Sequence, residues 1–283
     1  MSTICVAHLV HAANDLRCFH RFLASYRSNP AGMDHDLVII FKGFPQDRVP
    51  VPYEEALRGI AYTPYFVDLS GFDIVPYFKT ARHFTHEYFC FLNSYSVILD
   101  RDWLKKIASH AMGDHVGIAG ATGSYQSISS HSIYFRVKGY PLWKKILGIP
   151  WRWYLGFFFD PFPNYHVRTN AFMMSRSAMF RIRCPRIRTK MDAYRFECGK
   201  GGLTRQILRQ GLDVLIVGRD GNAYRLEDWC RSNIFYQGEQ ENLLVADNQT
   251  DRYTTGDADI RLYLKQFAWW DTGDAPENLK KYV

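Results

Sequence analysis

The chain is 283 residues long, with 47% hydrophobic and 22% charged residues, ample for one large domain with a sizeable core and ordinary for a globular protein. A mean hydropathy of −0.26 argues against several membrane spans. The net charge of +7 and a pI near 9.0 call for an anionic partner, and nucleic acid ranks below a diphosphate or an anionic lipid because no RNA- or DNA-binding motif occurs.

The opening MSTICVAHLVHAAND has neither a basic leader nor an apolar run long enough for a signal peptide or spanning helix, so a cytoplasmic protein is expected. Six cysteines are scattered without a Cys-x-x-Cys pair or the His spacing of a zinc site, and reduced thiols are the expectation.

Ile4 to Val10 reads as a first strand. LRCFHRFLASYR after it carries Leu16, Phe19, Phe22, Leu23 and Tyr26 at the spacing of a helix face, and Asn14 or Asp15 would cap it. Asp36 to Phe41 is a second buried strand, ending in Lys42 and Gly43. A helix over 53–58, a third strand over 65–69 and a helix from about 72 to 84 follow. Strands alternating with helices at this spacing predict a mostly parallel sheet.

Tyr88 to Leu92, YFCFL, is too short for a helix and looks like a strand buried on both faces. It breaks into Asn93, Ser94, Tyr95 and Ser96, where an open α/β sheet places its ligand, beyond the carboxyl ends of the strands. Asp100 then stands at a helix cap, with Asp102 in the first turn and Lys105 and Lys106 beyond. His115 to Ala121 is a fifth strand.

From 140 to 165 the composition changes. Trp143, Trp151, Trp153, Tyr154, Phe157, Phe158 and Phe159 lie among Lys144, Lys145 and Arg152, broken by Gly148 and Pro150. The run does not span a bilayer. Trp and Tyr mixed with basic residues fit an element lying in the headgroup region, although an aromatic lid or a dimer contact would share that composition. His166, Arg168, Thr169 and Asn170 form a polar approach to a strand at Ala171 to Met174. Leu203, Ile207 and Leu208 mark a helix closed by Gly211, and DVLIVG is a further strand. Residues 235–250 are dense in hydrogen-bonding side chains that suit a sugar or solvent equally. No repeat or low-complexity linker appears, so residues 1–220 read as one domain with 140–165 as an insertion, and 221–283 as a C-terminal extension packed on it.

The stretch ARHFTHEYFCFLNSYSVILDRDWLKKI, with the order of strand, polar tip, helix and acidic residue before a later helix, resembles bacterial family-2-like glycosyltransferases of the GT-A fold, of the polysaccharide-biosynthesis type. The likeness covers roughly residues 3 to 220 and is strongest at 85–107 and 166–217. It implies an α/β fold, a GT-A-like mostly parallel sheet flanked by helices with a Rossmann-like nucleotide-binding half. It also implies transfer of a sugar, with inversion, from a nucleotide-sugar donor to a glycan or lipid-linked acceptor. In that family the central strand ends in an Asp-x-Asp that holds the donor diphosphate through a metal. Here the tip is Asn93, Ser94, Tyr95, Ser96, without carboxylates. Donor binding independent of metal is therefore expected, with a divalent ion, Mg or Mn, as the alternative. For that alternative a literal Asp-x-Asp stands at Asp100 and Asp102, about four residues late.

The family's first-loop Asn matches Asn14, beside Asp15, and Lys42 stands where it commonly has an acidic pair for the base. Carried onto this sequence, donor binding falls to Asn14, Asp15, Lys42, Asn93, Ser94, Ser96 and Asn170, with Arg168 or Arg205 gripping the diphosphate through guanidinium forks. The catalytic base, which takes the proton of the acceptor hydroxyl, would be Glu197, about two residues from the family's place, with Asp192 second. Such an enzyme would sit at the inner membrane face through residues 143–159. The rival reading is a degenerate module that binds a glycan or nucleotide without turnover, which the missing Asp-x-Asp favours.

Overall fold

The computed structural model describes residues 2–45, 48–130 and 142–269, the last stretch with side chains from 149 onward. The side chains of Trp143, Lys144 and Lys145 lie outside the described residues.

An eight-stranded sheet organises the chain. β1 (Ile4–His11) pairs on one side with β2 (Asp36–Lys42), which is followed outward by β3 (Thr63–Val67), and on the other side with β4 (Tyr88–Leu92). These four run parallel. β9 (Ala171–Ser175) enters antiparallel between β4 and β6 (Val116–Gly120), β10 (Asp213–Val217) pairs parallel with β6, and β11 (Ala223–Tyr224) closes the far edge antiparallel. Two short antiparallel pairs stand apart, β5 (Val97–Ile98) with β12 (Val245–Ala246) and β7 (Gly123–Ser124) with β8 (His166–Val167). The expected α/β class with a mostly parallel sheet is what the chain adopts. Because β9 runs against β4, the start of β9 meets the carboxyl end of β4, which brings Asn170 to Asn93.

The strands are apolar on both faces because helices cover both. Ile4, Val6 and Val10 face the layer of α1 (Leu16–Ser28), α2 (Val51–Ala56) and α4 (Trp103–Ala111), where Phe22 and Trp103 are buried. Cys5, Ala7 and Leu9 face the other layer, with Tyr77 of α3 (Ile74–His83), Met179 of α6 (Arg176–Arg181), Phe196 of α7 (Lys190–Cys198) and Ile207 of α8 (Leu203–Arg209). α9 (Asn248–Thr255) and α10 (Ala258–Trp269) complete that layer, and α5 (Leu142–Phe158) lies beside α7, with Leu155 packed near Cys198.

Several local expectations change. Asp15, not Asn14, caps α1, accepting the Arg17 amide at 2.8 Å. α4 begins at Trp103, with Asp102 at the cap in the left-handed region (φ 57°), while Asp100 accepts from Lys106 at 2.6 Å. The segment before α8 that holds Asp192 and Glu197, for which no element was expected, is a helix, α7, started by a reciprocal capping box between Thr189 and Asp192. Residues 235–250 are mostly buried, with Gly238, Glu239, Glu241 and Asn248 exposed, so the segment is not a solvated tail. Gln237 and Gln240 are buried and donate to the carbonyls of Trp229 and Thr250.

Candidate functional site

The carboxyl ends of β1, β2 and β4 and the start of β9 share one edge of the sheet. After β4 the chain turns on Asn93, whose Oδ1 accepts the Tyr95 amide at 3.0 Å and the Ser96 hydroxyl at 3.1 Å. The Asn93 amide donates to the Asn170 carbonyl at 2.8 Å, tying the tip to β9. Across the edge the Tyr95 hydroxyl donates to Asn14 Oδ1 at 3.2 Å. Ser94 and Ser96 are buried, and Ser94 lines a narrow crevice with His11, Asn14 and Asp15. Asn170 is buried too. Its Oδ1 accepts from Thr122 at 2.6 Å while its Nδ2 has no partner among the described residues, an omission that costs about 1–3 kcal/mol unless a ligand supplies an acceptor.

These residues do not fit a Mg or Mn ion. Asn93 Oδ1 is taken by two donors, Ser96 is occupied within the turn, and hard divalent cations require carboxylate-rich oxygen sets. No cluster of His, Cys, Asp and Glu suited to a metal occurs among the described residues. The literal Asp-x-Asp lies elsewhere, beside the α1–β2 connection, where the Asp102 amide donates to the Pro30 carbonyl at 2.7 Å.

The acidic residues lie on the α3 and α7 side of this edge. Glu197, partly buried in the last turn of α7, accepts the Thr169 amide at 2.9 Å and the Thr169 hydroxyl at 3.1 Å, both on Oε1. Asp73, at the start of α3, was not singled out by sequence; its only signal was its place just before a helix. Burial pushes its carboxyl above the usual range, Lys42 and His11 draw it back, and Glu197 adds to the rise, so the four groups sit within electrostatic reach. Burial lowers Lys42, against the pull of Asp73, and its Nζ donates to the Phe72 carbonyl. Phe72 is left-handed (φ 51°), and so is Gly71 (φ 75°), where an added Cβ would meet Val75 at 2.0 Å. Lys42 thus pins a strained turn at the site's rim. Tyr77, buried beneath with its hydroxyl unpartnered among the described residues, feels both carboxylates.

Three further expected residues are engaged with other protein groups. Arg168 is nearly buried, pairs with the buried Asp247 at 2.7 Å and lies over the Phe235 ring at 4.4 Å. Burial works against its charge, and Asp247 together with Tyr236 and Glu197 more than offsets it. Arg205 pairs with Asp160 at 3.0 Å. Asp192 accepts the amides of Arg188 and Thr189 at 3.1 and 2.9 Å. A cleft of about 720 Å³ opens beside the tips of β1 and β2, between α3 and residues 184–188. Sequence reasoning missed it, because its basic side chains come from four separate segments.

No protein-family model and no curated protein matches the chain. The chain is similar in fold to three solved structures described as sugar transferases, one of them putative. The mannosyltransferase PcManGT from Pyrobaculum calidifontis, in complex with GDP-Man and Mn2+, aligns with a TM-score of 0.40 and 13% identity over 62% of this chain. Mouse xyloside xylosyltransferase 1, in its apo form, aligns with a TM-score of 0.38 and 10% identity over 62% of this chain and 68% of its own. A putative nucleotide-diphospho-sugar transferase from Desulfovibrio desulfuricans G20 gives 0.31 and 16% over 42% of this chain. The chain spans 45% of the mannosyltransferase and 58% of the Desulfovibrio protein.

Proposed function

We propose that the chain is a glycosyltransferase that moves a sugar from a nucleotide-sugar donor to a glycan or lipid-linked acceptor in polysaccharide biosynthesis, with inversion and without a required metal. The observation that carries this reading is Glu197, a carboxylate fixed by both bonds from Thr169 at the carboxyl edge of a mostly parallel sheet. Oε1 is engaged, which leaves Oε2 to accept the proton of an acceptor hydroxyl as its oxygen attacks the sugar's anomeric carbon. The bond from that carbon to the diphosphate breaks, and the nucleoside diphosphate departs with its charge held by nearby cations. Asn14, Asp15, Lys42, Asn93, Ser94, Ser96 and Asn170 surround the donor. The unpartnered Nδ2 of Asn170 is a ready donor to a ligand oxygen. Arg168, Arg205 and Asp192 keep the frame in place.

The acceptor is presented at a membrane surface. On α5, Ile149, Trp153 and Phe157 recur every fourth residue as one exposed stripe, while Leu155 is buried against the protein. No helix among the described residues is long and apolar enough to cross a membrane, so contact would be peripheral.

Glu197→Gln tests the reading, since the amide keeps an oxygen for Thr169 but cannot take a proton. Transfer and donor hydrolysis should fall by about 10²–10⁴-fold, with melting temperature and donor binding retained. A variant that transfers sugar at the original rate would remove Glu197 from the chemistry. The self-contained turn at Asn93 favours one rival, a module that binds nucleotide sugar without turnover. A rise in melting temperature with nucleotide sugar, and no nucleotide released, is its signature.

A further inference from the structure

We propose that the cleft between α3 and residues 184–188 is an anion-binding subsite that holds the donor diphosphate through side-chain cations alone. This rests on the nucleotide-sugar reading above. The cleft, about 720 Å³, is lined by His11, Lys42, Lys79, Arg82, Arg186 and Arg188, and no carboxylate lines it among the described residues. Lys79 is bridged to Asp68 at 2.7 Å. Arg82, Arg186 and Arg188 have no ion-pair partner among the described residues. These three guanidinium groups share the cleft without a carboxylate partner and repel one another, and a diphosphate would offset that repulsion.

The wall is built rather than incidental. Gln206 accepts the Arg183 amide at 2.8 Å and donates to the Arg183 carbonyl at 3.0 Å, and Asp192 accepts the Arg188 amide at 3.1 Å. Ile187 is buried between the two arginines and anchors the segment. On the facing side Arg176 donates to the Ala81 carbonyl at 3.1 Å, and Phe78 of α3 packs edge-on against Phe196 of α7 at 5.7 Å. At the inner end Lys42 is buried, and His11 lines both this cleft and the crevice of Asn14 and Ser94. An anion seated here therefore adjoins the strand tips. The arginines expected to grip the diphosphate, Arg168 and Arg205, are committed to Asp247 and Asp160.

The test is calorimetric titration of inorganic pyrophosphate, UDP, GDP and their nucleotide sugars into the full chain in EDTA, for the wild type and for the variants Arg82→Gln and Arg186→Gln/Arg188→Gln. All three arginines are exposed, so melting temperatures should be unchanged. Pyrophosphate and at least one nucleotide should bind, each at least tenfold more weakly in the double variant, and the wild-type affinity should fall as salt rises. Pyrophosphate that fails to bind, or binds the double variant equally well, overturns the proposal. A nucleotide that binds regardless of these arginines overturns the cleft assignment and leaves the nucleotide-sugar reading standing. Pyrophosphate bound through the arginines, with UDP, GDP and their sugars all unbound, overturns both.

Discussion

At the scale of single residues, His8 shows what a buried unpaired group does to stability. It lies in the middle of β1, stacked on Phe22 with ring centroids 3.6 Å apart, and neither ring nitrogen has a partner among the described residues. Burial lowers it from 6.5 to about 3. Between those values the unfolded chain takes up a proton that the folded chain refuses, so stability is full above pH 6.5 and falls as the pH drops toward 3. The slope from this one group is about 1.4 kcal/mol per pH unit. Urea melts of the wild type and His8→Leu across that range should show the variant's stability declining less steeply by roughly that amount. Equal slopes would mean that His8 finds a proton acceptor in the fold. The expected site residues divide by the same reasoning. The position of Asn93, Ser94 and Asn14 at strand tips was legible because each follows closely on an apolar strand. The ion pairs of Arg168 and Arg205 were not, because Asp247 and Asp160 are brought to them only by the fold.

At the scale of elements, strands were the easiest to read. YFCFL and DLVIIF are buried on both faces and leave unbroken apolar runs, and β1, β2, β4 and β10 fall where such runs predicted them. α7 was hidden because KMDAYRFEC has almost no apolar stripe, with only Phe196 and Cys198 buried; its capping box and the Arg195 guanidinium over the Phe158 ring hold it instead. The burial of the strap at 235–250 was not legible because a glutamine that bonds a buried carbonyl is chemically identical to one that bonds water. α5 carries the element-scale prediction. Its stripe includes Trp153 and Phe157, which are 73% and 74% exposed, and such rings gain by entering a headgroup layer. The wild type should float with anionic vesicles at low salt, less so at high salt, and a Trp153→Ser/Phe157→Ser variant should stay unbound with its melting temperature unchanged. A wild type that never floats, or a variant that floats equally well, would assign the stripe to a contact between proteins.

At the scale of the whole molecule, the sheet order gathers the ends of β1, β2 and β4 beside the reversed start of β9. That reversal is why Glu197, through Thr169, and Asn170 face the same edge as Asn14 and Asn93. Sequence order alone keeps these residues far apart, and only the antiparallel insertion of β9 joins them. The neighbouring cleft is lined by His11, Lys42, Lys79, Arg82, Arg186 and Arg188 and by no carboxylate among the described residues. The central claim, a nucleotide-sugar site that works without a metal, is tested most directly by titrating a panel of nucleotide sugars into the wild type in EDTA and again in excess Mn2+ or Mg2+. At least one donor should bind, with affinities in the two conditions agreeing within about threefold, or under 1 kcal/mol. Loss of binding in EDTA by more than about tenfold, roughly 1.4 kcal/mol, or binding of no nucleotide sugar in either condition, would contradict the account.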